Sequence, residues 1–254
     1  MNRNLGHDII PGEKHFRWQG GEVARIEGFT DAIFAFAVTL LVVSLEVPRT
    51  YSELMMTMKG FVAFAICFAL LIQVWVYQYL FSRRYGLHTS YTTFLNFVLV
   101  FVVLFYVYPL KFIFSLIIGQ LLFGASYVTR GGEEVIKTSQ APGLMVIYSL
   151  GFAAVFLVFA LEYLYAYRKR EALNLNEYEV LRTRHALLDH VYMAVLGLTV
   201  AVLAKLLPAR IAGMSGFLYF SIGIYHTITG TIFGKREKLS LERLQAKGSH
   251  VTNV

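Results

Sequence analysis

Apolar residues in this chain run on for long stretches before a charge interrupts them, rather than alternating with polar ones. A run of about 20 such residues spans the hydrocarbon of a bilayer, and it does so as a helix because only a helix satisfies its own backbone there. Six runs are legible. The first predicts a helix over Val23–Val47, stopping before Pro48. The second covers Leu54–Phe81 and ends in Ser82-Arg83-Arg84, and the third covers Thr92–Phe114 with Pro109 in its last turns. The fourth begins near Pro142, a favourable first-turn residue, and ends at Arg168-Lys169-Arg170. The fifth starts amphipathic at Asn176 and becomes apolar over Ala186–Leu207, and the sixth covers Ala209–Phe233, ending at Gly234-Lys235-Arg236. Residues 112–124, beyond Lys111, are apolar but too short to cross again; they prolong the third helix or lie at the interface. The chain thus divides into a polar arm, 1–22, a six-helix membrane domain, 23–234, and a basic tail, 235–254, expected to be a solvated helix end.

Composition supports the same class. Of 254 residues, 57% are hydrophobic and 15% charged, where a soluble domain carries about a quarter charged. The net charge of +7 follows from topology and needs no nucleic-acid partner. Sixteen of the 23 Lys and Arg residues lie in the N-terminal arm through Arg25, the loops after the second and fourth helices, and the tail. The excess of basic residues places both termini in the cytoplasm, and an even number of spans requires the same. The N-terminus lacks the short apolar stretch and cleavage site of a signal peptide, and the single Cys67 excludes an intrachain disulfide. No nucleotide-binding loop, nucleophile elbow or metal-ligand spacing occurs, so neither an enzyme nor a resident cofactor is expected.

Ionisable groups within the spans are few, and such groups mark pathways. Asp31 and Glu162 fall near the inner ends of their helices, Glu46 near an outer end, Asp189-His190 near the start of the fifth helix, and His226 within the sixth. A secondary transporter or proton pathway would draw on His226, Asp189 and Asp31. The first helix has a charged foot, Arg25-Ile26-Glu27-Gly28-Phe29-Thr30-Asp31. Arg25 and Asp31, six apart, fall on different faces, so each is expected to reach a neighbouring helix and pin several together. Above the foot, Phe36, Leu40 and Val43 share one stripe with Thr39 at its edge; by itself the stripe fits packing as well as function. Arg25 and Phe29 continue that stripe on a straight helix, so the bundle must bend at Gly28 or flare there.

Arg-x-x-x-Phe-Thr-Asp at the foot of a first transmembrane helix resembles the Arg-x-x-x-Phe-Ser-Asp signature of the transmembrane protein 175 family of potassium channels, with Thr30 in place of the usual Ser. The similarity runs on through Val43 and reaches Trp75, Asn96 and Tyr108-Pro109-Leu110-Lys111, while Gln78 stands where many relatives carry His. It is to the bacterial members, with six spans per subunit. The resemblance implies an all-α homotetramer in the cell membrane of a bacterium. Its partners would be copies of itself, the lipid bilayer and permeating potassium, and it would carry no other metal. It implies a central pore lined by the first helix, closed by apolar rings of Phe36, Leu40 and Val43 in place of a carbonyl filter, with Thr39 as the selectivity layer. Arg25, Phe29, Thr30 and Asp31 would anchor that helix, supported by Trp75, Gln78 and Asn96. Rings of apolar side chains close by dewetting, so selectivity is expected to be modest. Glu46, in phase with Thr39, either concentrates cations at the mouth or is a solvated helix end.

Overall fold

The computed structural model describes residues 15–43, 49–124, 129–130 and 133–251. Seven α-helices account for most of them: α1 (Arg25–Val43), α2 (Tyr51–Lys59), α3 (Phe61–Tyr85), α4 (Ser90–Phe123), α5 (Ala141–Arg168), α6 (Glu177–Leu206) and α7 (Ser221–Val251). Two-residue strands, β1 (Thr129–Arg130) and β2 (Glu133–Glu134), pair antiparallel in the polar loop after α4. Among the described residues four helical segments are long and apolar enough to cross a membrane, within Phe61–Tyr85, Ser90–Leu121, Thr138–Arg168 and Glu177–Leu206.

Local chemistry sets most boundaries. Thr89 caps α4 by accepting from the Thr92 amide, and Thr92 returns the bond to the Thr89 amide. Asn176 and Glu179 make the same reciprocal pair at the start of α6. This arrangement satisfies two amides that have no partner inside the helix. Pro142 sits in the first turn of α5, as expected from the sequence.

Four expectations change. The expected second helix is broken at Gly60, whose amide bonds back to Thr57, so α2 is a separate turn of chain. The third does not end near Phe114; α4 continues through Pro109 to Phe123, and residues 112–123 prolong it. The sixth opens as a 3₁₀ stretch, Ala212–Phe220, before becoming α-helical at Ser221. It also does not stop at Gly234: one glycine costs only about 1 kcal/mol, and the 235–239 segment that follows is rich in good helix formers. Residues 44–48, with Glu46, lie outside the described residues, as do 1–14 and 252–254.

α1 packs on α3 and α4, α4 on α5, and α5 makes its most extensive contact with α6. One apolar core joins α1, α3, α4 and α5 through Phe34, Leu41, Cys67, Leu99, Val103 and Phe159. A second cluster lies at the end where the chain enters, and it contains a residue of the N-terminal arm: Phe16 is buried among Phe81, Tyr85, Tyr163 and Tyr178. The arm is a docked strap here. The Arg17 side chain donates to both carboxylate oxygens of the buried Glu179 at 2.8 and 2.6 Å, and to the Asn174 carbonyl. Gln19 and Gly20 bond the Arg84 and Arg83 carbonyls at the end of α3. A Cβ on Gly20 would meet the Ser82 carbonyl oxygen at 2.7 Å, so the strap lies this close only with glycine there. Gly86, which ends α3 at φ +56°, gives the matching left-handed turn.

Arg17→Ala removes the charged bonds that compensate a buried carboxylate. It is expected to cost about 2 kcal/mol, measured as a lower unfolding midpoint of purified protein; an unchanged midpoint would mean that the strap contributes no stability.

Candidate functional site

α1 has two unlike faces. Thr30, Phe34, Ala37 and Leu41 recur at three- and four-residue intervals and are all buried against α3 and α4. The opposite face carries Gly28, Ala32, Ala35, Phe36 and Thr39, which this chain leaves uncovered. Phe36 is 56% exposed. Leu40 lies between the faces, half-buried against the core, so the expected stripe is split between a projecting Phe36 and a flanking Leu40. The Val43 side chain is outside the described residues, although its backbone ends α1. The Thr39 hydroxyl donates its one proton to the Ala35 carbonyl at 2.9 Å. Its oxygen lone pairs are therefore left facing outward.

Two bonds hold α1 from its two ends. At the foot, the Trp75 indole of α3 donates to Asp31 Oδ1 at 2.8 Å. The indole is stacked on Tyr79, with ring centroids 5.6 Å apart, and the Arg83 guanidinium lies over Tyr79. At the far end, Lys111 Nζ of α4 donates to the Leu41 carbonyl at 2.9 Å. That carbonyl lies near the described end of α1, the negative end of the helix dipole, where a cation is favoured. Sequence reasoning noted Lys111 only as part of a similar stretch. Its place as a lone cation inside a long apolar run was the available signal.

The remaining foot residues divide. The Thr30 hydroxyl bonds back to the Ile26 carbonyl at 2.8 Å within its own helix. Phe29 is exposed and meets Phe97 of α4 edge-on at 5.9 Å. Arg25 is exposed and makes no side-chain bond among the described residues. Gln78 and Asn96 stand apart from the Asp31–Trp75 bond. They are 4% and 7% exposed and line a small cavity with Glu162, at the same end of the bundle.

Of the groups of the transport alternative, Asp189 and His226 lie within electrostatic reach of each other, on α6 and α7, while Asp31 is on another helix. Asp31 belongs to α1, which packs on α3 and α4. Asp189 lies on α6 within 3.5 Å of His185, and His226 is exposed on α7.

The comparisons decide the family. A relative from Marivirga tractuosa described as a potassium channel is 37% identical over 248 residues, covering 94% of this chain and 99% of its own. The chain belongs to the TMEM175 family. The family model described as endosomal/lysosomal potassium channel TMEM175 matches residues 25–107, which run from Arg25 through α3 into α4. The solved potassium channel MtTMEM175, captured as a variant bound to a nanobody fusion, matches with a TM-score of 0.75 at 36% identity, covering 87% of this chain and 97% of that one. A lysosomal potassium-selective TMEM175 homologue from Chamaesiphon minutus shares the fold, with a TM-score of 0.51 at 21% identity over 84% and 96% of the two chains. The family thus accounts for a multi-pass membrane protein in which the matched segment takes in α1, α2, α3 and the first half of α4.

Trp75→Phe keeps the ring and removes the donor to Asp31. It is expected to lower the unfolding midpoint by a few degrees, by loss of one charge-assisted bond, and to change channel open probability. A variant with wild-type midpoint and currents would show that the bond does not position α1.

Proposed function

We propose that this chain is a potassium-selective channel subunit whose ion path is lined by the uncovered face of α1. The observation that carries the reading is the two-faced character of that helix, in a family whose relatives are described as potassium channels. One face is packed inside the subunit, and the other presents Phe36 and Thr39 to whatever lies beside it. Four subunits around an axis would cover that face and convert it into a pore. Six spans, both termini in the cytoplasm and a bacterial cell membrane complete the arrangement, with α1 and the 3₁₀–α7 segment as the first and last spans.

In this pore Phe36, Leu40 and Val43 form apolar rings. An ion there loses hydration water and gains no ligands, so a narrow ring closes the path by dewetting and opens by a small rotation or widening. Four Thr39 oxygens offer acceptors at one level, because each hydroxyl proton is already donated to Ala35. Potassium sheds water more readily than sodium, which gives a modest preference without tight coordination. The split geometry adds a detail: Phe36 projects furthest and sets the narrowest ring, whereas Leu40 is drawn partly into the subunit core.

Reconstituted protein is expected to pass a passive current reversing near the potassium potential. Leu40→Ala and Phe36→Ala are each expected to raise basal current several-fold and weaken the preference over sodium, Phe36→Ala more strongly. Strict proton coupling, absent conductance, or currents unchanged in both variants would overturn the reading.

A further inference from the structure

A small cavity lies where the start of α1, the end of α3, the start of α4 and the end of α5 meet. Its accessible volume is about 10 Å³, enough for one water-sized sphere. Glu162 contributes a carboxylate with 0% exposure, and neither of its oxygens accepts a hydrogen bond. Gln78 lies beside it, its amide close enough to act on the carboxylate, and its own carbonyl oxygen is without a donor. The carbonyl oxygen of the buried Asn96 is the third acceptor without a donor. Thr93 adds a hydroxyl to the lining, and Glu27 and His88, 3.7 Å apart, also border the cavity.

A buried carboxylate costs several kcal/mol unless it is paired or neutralised. The neutral amide of Gln78 offsets part of that charge and not the whole of it, and the other unpartnered buried atoms lining the cavity are acceptors. Carboxylate, amide and hydroxyl oxygens are the ligands of hard cations. Among the described residues no three His, Cys, Asp or Glu side chains converge on a metal-sized point. The charge to be matched is therefore one. The Glu27 carboxylate has its own neighbour in His88.

We propose that this cavity is an intrasubunit binding site for one alkali cation, sodium or potassium, held by Glu162 with the amide oxygens of Gln78 and Asn96. The site is separate from the α1 face argued above as the ion path. The bound ion ties α3, α4 and α5 together directly below the α1 foot. It therefore stabilises the fold and is not in transit.

The test is thermal unfolding of purified full-length protein titrated with NaCl, and separately with KCl, against N-methylglucamine chloride at constant ionic strength. The expected result is a saturable rise in midpoint with alkali cation that is lost in Glu162→Gln, with the more effective salt identifying the preferred ion. Asn96→Leu, which retains the carboxylate, is expected to move the half-saturating concentration upward without abolishing the rise. A wild-type midpoint indifferent to both salts would overturn the proposal and leave a protonated Glu162 beside a water. A salt dependence that persists unchanged in both variants would also overturn it, because the stabilising ion would then bind elsewhere.

Discussion

α1 must satisfy two environments at once, and the rest of the arrangement depends on that constraint. Its Thr30–Phe34–Ala37–Leu41 face is packed on α3 and α4, while the Phe36–Thr39 face is exposed among the described residues. In a bilayer the hydrophobic effect does not drive one helix onto another, so close packing and specific polar bonds must hold α1 in rotation. The Asp31–Trp75 bond fixes it at the foot and the Lys111–Leu41 carbonyl bond at the other end. A rotation of about 100°, one residue's turn, would replace Thr39 by a neighbour on the outward face.

The polar groups at the strap end share one logic. Glu179 is buried but receives Arg17; buried Arg84 reaches the Tyr163 hydroxyl at 3.1 Å and lies over Phe16. Both of these buried charges are matched by a donor, an acceptor or a ring face. Glu162 differs, and for that reason it carries the cation proposal. The two readings are physically distinct: a pore ring gives an ion no ligand and lets it pass, whereas a cavity of oxygens holds it.

Periodicity made the helices and one stripe of α1 legible in the sequence, because a membrane helix must be apolar for about 20 residues; which face of α1 is packed came only from its contacts with α3 and α4. Its limits were equally physical. Gly60 breaks the second run between Lys59 and Phe61, and the apolar residues on both sides of that break made it read as continuous. Pro109 was expected near a helix end; α4 passes it because one missing amide in a long apolar helix is not sufficient to end it. The docked strap could not be found from the polar composition of residues 15–20, since its stability comes from the distant Glu179, Arg83 and Arg84. In the candidate site, Asp31 and the exposed Phe36 and Thr39 were legible from the motif and the wheel. The contribution of Lys111, and the placing of Gln78 and Asn96 around Glu162 rather than around Asp31, depend on contacts between helices that spacing does not encode.

The central claim is that the α1 face turned away from the subunit core meets the ion. It is tested most directly by placing a cysteine at Thr39, with the buried Cys67 replaced by alanine, and applying a small cationic thiol reagent to reconstituted channels. The account predicts irreversible block of potassium current at Thr39→Cys and no block at Ala37→Cys on the packed face. Modification of Thr39→Cys that leaves the current intact would contradict it.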